Sequence, residues 1–132
     1  MPVFGFSQQK KDTKIIVSSS DTVNLVNRIA IAFIEKGYSI DQKDPTIGFV
    51  ATGEKPMKNY AASTKIRAIV KVDTITFTSF LALDVEVNIA GVKMARTFDP
   101  VFHATAKGNL NRKAWDEMEE IATQFGSVTY GK

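Results

Sequence analysis

Between Thr13 and Val17 the chain reads TKIIV, a short β-branched run that predicts a strand. The SSSD behind it offers Ser20 or Asp21 as acceptor for a free amide of a following helix. From Thr22 to Lys36 apolar residues recur at Val23, Val26, Ala30, Phe33 and Ile34, the spacing of one helical face, and Gly37 supplies a left-handed stop. Leu25, Ile29 and Ala32 widen that arc beyond a half-buried helix, which predicts cover on more than one side, from a sheet and a second helix or, alternatively, a dimer contact.

YSIDQ then alternates with Tyr38 and Ile40 on one face, a turn falls at Asp44-Pro45, and IGFVATG places Ile47, Phe49 and Ala51 on one face, so the pair reads as a hairpin. Residues 54–62 contain Pro56 and hold no period; they predict a loop whose Met57 and Tyr60 fold back over the core edge. From Lys65 to Val72 the apolar residues take even numbers, and from Ile75 to Ile89 odd ones. A continuous strand cannot change phase without turning its core set to solvent, so a tight turn is expected with Asp73 and Thr74 at its centre, or a longer turn with a bulge. That register sets Val72 against Ile75, Val70 against Phe77 and Ile66 against Leu81 inside, with Lys71 against Thr76 and Arg67 against Phe80 outside. A second turn at Ala90-Gly91 sets Val92 against Ile89, Asn88 against Lys93 and Met94 against Val87, and leaves Arg96 beside Val85 at a bulge or at the sheet margin. Past Asp99-Pro100 the chain is irregular until a helix capped by Asn109 or Asn111 and ended by Gly126, with Ala114, Trp115, Met118, Ile121, Ala122 and Phe125 on one face.

These elements predict an α+β domain: an antiparallel sheet of five or six strands with two helices packed on one face, in the order β-α-β4/5-α. Residues 1–12 read as a flexible N-terminal tail, 13–127 as the single domain and 128–132 as a C-terminal tail. A length of 132 residues suits one core. No apolar run reaches the roughly 18 residues of a membrane-spanning helix.

Composition narrows the chemistry. Cysteine is absent, which removes disulfides, thiolate metal sites, cysteine nucleophiles and a lipid-bearing cysteine together. The net charge of +3 is compatible with an anionic partner without demanding one. PVFGFSQQKKD turns from apolar and small to polar and lysine-rich after Ser7, and Gly5 and Ser7 occupy the −3 and −1 positions of a cleavage before Gln8. This stretch reads as the remnant of a signal peptide whose front half is missing, or as a short tail. Export without cysteine implies a soluble periplasmic or secreted protein that is not lipid-anchored; a genuine start at Met1 implies the cytoplasm.

The lone histidine, His103, has no carboxylate near it in sequence and no zinc-ligand spacing around it, so it reads as structural; no metal and no cofactor are expected. Asp84 and Glu86 on one strand face, and Asp116, Glu117, Glu119 and Glu120 on the last helix, read as solvated acidic faces. The outer face of the central hairpin is different. Lys65, Arg67, Ile69 and Lys71 lie there beside Thr76, Thr78, Phe80 and Ala82, a mixture of cations and apolar surface able to hold an anionic ligand, a protein edge or stacked single-stranded nucleic acid. Lys65, Arg67, Lys71 and Phe80 are the candidate binding residues. The alternative is an ordinary solvent face, with Ile69 and Phe80 covered by the 54–62 loop.

The element order over residues 13–125 is similar to the β-α-β4-α order of the TATA-binding-protein-like fold. The run from Val23 through EKGYSIDQKDPTIGFVATG resembles small exported bacterial domains of unknown function and domains of outer-membrane assembly lipoproteins, in which a helix ending in a Gly-aromatic step, here Gly37-Tyr38, feeds a hairpin, here Asp44 to Gly53. The missing cysteine departs from the lipoprotein members, and no catalytic residue comes with the resemblance. Mainly by exclusion, the first reading is a non-enzymatic envelope or secreted module, a monomer or weak dimer, whose partner is a protein or small ligand. A cytosolic nucleic-acid-binding module using the basic sheet face is the second reading, and an enzyme with a site around His103 the third.

Overall fold

The computed structural model of the chain describes residues 12–57, 60–84, 87–89, 92–94, 97–103 and 109–132. Along it run β1 (Lys14–Ser18), α1 (Leu25–Glu35), β2 (Ile40–Asp44), β3 (Phe49–Thr52), β4 (Lys55–Pro56), β5 (Ala62–Lys71), β6 (Thr74–Leu83), β7 (Val87–Ile89), β8 (Val92–Met94), β9 (Asp99–Pro100), α2 (Leu110–Ala122) and β10 (Ser127–Gly131). The architecture is α+β, as the patterning predicts. An eight-stranded antiparallel sheet runs β10-β1-β6-β5-β3-β2; β4 takes up β5 where β3 stops, and β9 takes up β6 where β1 stops. The expected five or six strands become eight through the two-residue strands β4 and β9 and through β10, which occupies the stretch expected as a tail. No helix of the described residues is long and apolar enough to cross a membrane.

One face of the sheet carries Ile15, Val17, Val50, Ile66, Ala68, Ile75 and Phe77 into a core shared with both helices. All six apolar positions read for α2 are buried there, and Asn109 caps that helix, its side chain accepting from the Asn111 N–H. Helix α1 departs from expectation at its start and in its rotation. It begins at Leu25 behind a left-handed Asn24, and Asp21 instead accepts from the Val23 N–H in the preceding turn. Its buried face is Leu25, Val26, Ile29, Ala30, Ala32 and Phe33, whereas Val23, Ile31 and Ile34 are exposed, so the expected second layer of cover is not found among the described residues.

The strands hold three further corrections. In β3 the core takes Val50 and Thr52, and Phe49 and Ala51 face outward; IGFVATG has apolar residues in both phases, so alternation alone does not choose between them. The β5–β6 turn is centred on Val72 and Asp73, which pairs Lys71 with Thr74, Val70 with Ile75 and Ile66 with Ser79. A slip of two residues keeps every side chain on its own face, so the hydrophobic pattern does not distinguish this register from the expected one. Val72, expected inside, stands 91 % exposed at the turn. Lastly, β6 ends at Leu83, and β7 and β8 form a separate two-stranded ribbon with the register expected for it, Val87 with Met94, Asn88 with Lys93 and Ile89 with Val92. The position expected for Arg96 lies outside the described residues, as do residues 1–11 and the cleavage site read within them. Asp12, assigned to the tail, is buried, and its carbonyl accepts from the His103 N–H.

Candidate binding site on the outer sheet face

Because odd-numbered residues of β5 point away from the helices, Lys65 and Arg67 emerge together on the outer face. Phe80 of β6 sits directly across from Lys65, and Thr78 across from Arg67. On the other flank β3 places Ala51 opposite Arg67 and Phe49 opposite Ile69. A bulge in β2 between Ile40 and Gln42 brings Asp41 to the same side, and the segment entering β9 adds Phe98. Together they line a shallow recess of about 310 Å³.

Both cations lie on aromatic rings. The Lys65 ammonium is 4.3 Å from the centre of the Phe98 ring, and the Arg67 guanidinium 5.2 Å from that of Phe80. Such contacts contribute roughly 0.5–2 kcal/mol and hold the charged heads in place while leaving their N–H groups free to donate. The Nε of Arg67 is buried and has no hydrogen-bond partner among the described residues. A buried donor left in that state costs about 1–3 kcal/mol until an acceptor reaches it.

The structure thus brings together three of the four residues singled out from sequence, Lys65, Arg67 and Phe80. Lys71 shares their face, but it lies at the turn, about 13 Å along the strand from Arg67, and does not line the recess. The described residues of the 54–62 segment do not line this recess either. Its Lys55, Pro56, Met57 and Tyr60 line a different hollow against Lys113, Ala114 and Glu117 of α2, as the expected fold-back of Met57 and Tyr60 implies. Sequence reasoning missed Phe49, because it was phased into the core, Asp41, because alternation in YSIDQ gave it only the face away from Tyr38 and Ile40, and Phe98, because it sits in no periodic run. Their one available signal was an aromatic and an acid beside strand ends.

The acidic residues of α2 are more occupied than a solvated face. Glu117 accepts from the Tyr38 hydroxyl and from Lys55 Nζ (2.8 Å), while Tyr38 also lies 2.8 Å from Thr64 Oγ1, and Lys55 donates to the Lys36 carbonyl. Burial, then the neighbouring Glu117 carboxylate, push the Tyr38 phenol well above the ordinary tyrosine value, so it stays protonated. Glu119 accepts from Tyr130, and Asp116 pairs with Arg112. The bonds from Tyr38, Lys55 and Tyr130 fasten α2 to the rest of the domain, while the Arg112–Asp116 pair is internal to the helix. His103 packs edge-on against the buried Trp115 at 5.6 Å, with its Nδ1 buried and unpartnered, and no group of three metal-ligating side chains occurs among the described residues. Asp84 accepts from the Ser63 hydroxyl; Glu86 lies outside the described residues.

No protein-family model matches the chain, and no curated protein matches it either.

Proposed function

We propose that this chain is a non-enzymatic binding module of the cell envelope or the secreted fraction, and that it takes a protein or small ligand on the outer face of its sheet. The observation that carries this reading is the pair Lys65 and Arg67, each lying on a phenylalanine ring beside the same recess, with the Arg67 Nε buried and unsatisfied. The recess has cations to attract an anion and aromatic surface to hold an apolar body. Among the described residues that line it there is no histidine or serine to act as base or nucleophile, and the one acid is Asp41. Such a lining suits holding a ligand rather than converting it.

The compartment rests on the small-residue step at Gly5 and Ser7 and on the likeness to exported domains. Intact mass of the native protein from cytosol, periplasm and medium tests it: a species beginning at Gln8 outside the cytosol is expected, and an unprocessed chain confined to the cytosol contradicts it. For the surface, the double substitution Lys65→Glu and Arg67→Glu is expected to abolish the ligands that the wild-type protein carries from envelope extracts in native mass spectrometry, whereas Lys71→Glu keeps them. Equal retention by all three proteins removes the sheet face from the account. The second reading, single-stranded nucleic acid, is favoured by Phe80 standing directly across from Lys65 as a stacking platform beside a cation.

A further inference from the structure

We propose that the recess takes a small acid with one anionic head and a flat apolar body, a monocarboxylate of the arylacetic type, with the carboxylate on Arg67 and Lys65 and the ring against Phe80 and Phe49. This rests on the sheet face being the binding surface and goes further by naming the ligand class.

Three features select that class. The guanidinium lies on Phe80, and its Nε is buried without an acceptor. The Nε is shut off from the recess, but the two Nη groups are not buried, and their N–H groups form a planar fork that a carboxylate fits with two parallel hydrogen bonds. Ala51, the residue directly opposite Arg67 on β3, has only a methyl group there and lines the recess, which its smallness keeps open.

The size of the recess also matters. At about 310 Å³ it lies at the lower end of the roughly 300–1,000 Å³ range of small-molecule sites, enough for a single ring and its acid but not for a chain.

Charge around the recess decides between a small acid and a polyanion. A phosphodiester strand needs cations repeated along its track. Here the next cation on the strand, Lys71, is about 13 Å beyond Arg67. Carboxylates interrupt the face as well: Asp41 lines the recess and Asp44 stands opposite Phe49. A second anionic group on the ligand would meet Asp41. The lining therefore favours one negative charge at the Arg67 side and neutral surface elsewhere.

The test is a saturation-transfer NMR titration of the full chain with phenylacetate, with phenylacetamide as the neutral counterpart and an eight-residue oligothymidylate as the polyanion. Phenylacetate is expected to bind saturably, and phenylacetamide roughly tenfold or more weaker. Arg67→Met should weaken phenylacetate by at least about tenfold, Arg67→Lys should restore part of the loss because it returns charge without the fork, and Lys71→Met should change nothing. Ala51→Leu fills the space without touching any charge and should also abolish binding, which guards against reading a misfolded arginine variant as a result. Equal binding of acid and amide overturns the inference. Oligothymidylate binding that is lost in Arg67→Met while phenylacetate fails to bind overturns the small-acid class and leaves the sheet face as the binding surface. Failure of all three probes overturns the small-acid class alone, the sheet face then resting on the extract experiment with Lys65→Glu and Arg67→Glu, whereas binding indifferent to Arg67 and Ala51 overturns both.

Discussion

Val72 has a φ of 57°, a left-handed conformation that a β-branched side chain adopts at a cost of about 1–2 kcal/mol, and its side chain points into solvent at the tip of the β5–β6 turn. Val72→Gly relieves that strain and gives back part of the gain in backbone entropy, so unfolding free energy in urea is expected to rise by about 0.5–1 kcal/mol. A fall would mean that the turn is not centred where the register places it. The strain also explains why the turn was not legible: Asp and Thr are better turn residues than Val, and sequence preference pointed one residue too far along the chain. At the same scale Lys65, Arg67 and Phe80 were legible because strict alternation put them on one face, whereas Phe98 is brought over Lys65 by a segment with no period.

Helix α2 was readable from sequence through its cap and its buried face, whereas it ends at Ala122 with Thr123 as C-cap, ahead of the expected stop at Gly126. Its apolar residues occupy one arc and its charges another. Helix α1 has apolar residues nearly all round, so its spacing left the rotation open, and the structure settles it with Phe33 inside and Ile34 55 % exposed. Substitution separates the two. Phe33→Ala empties a fully buried site that touches Phe77 and Tyr38 edge-on and is expected to cost about 3–5 kcal/mol, while Ile34→Glu should change stability by less than about 0.5 kcal/mol. Denaturant midpoints of the two variants check the helix orientation directly, and comparable losses would contradict it. The strands show the complementary ambiguity. Their faces follow from alternation, but a register slip of two residues and the phase of a doubly apolar strand such as β3 do not.

Across the whole molecule, Tyr38 at the end of α1, Lys55 of β4, Thr64 of β5 and Glu117 of α2 meet in one network that ties both helices to the sheet. Sequence could not show it, because four polar residues from distant segments carry no common pattern. Tyr38→Phe removes one of the two donors to Glu117, leaving it Lys55, and takes from the buried Thr64 hydroxyl its Tyr38 partner, and is expected to cost about 1–3 kcal/mol near neutral pH. The phenol's raised folded value fixes the sign of the pH effect: its contribution is complete below the ordinary tyrosine value near 10 and is lost as pH rises beyond it, when the unfolded chain ionises and the folded one does not. The gap between wild type and Tyr38→Phe in urea unfolding should therefore narrow between about pH 9 and about pH 11; a gap that widens contradicts the assignment. On the other side of the sheet from this network lies the outer-face recess, and the central claim is that it is where the protein binds. The most direct measurement is a two-dimensional amide-correlation map of the wild-type protein titrated with phenylacetate. Saturable shifts confined to Asp41, Phe49, Ala51, Lys65, Arg67, Phe80 and Phe98 are predicted, while shifts centred on α2 and the Tyr60 hollow, or none at all, would contradict it.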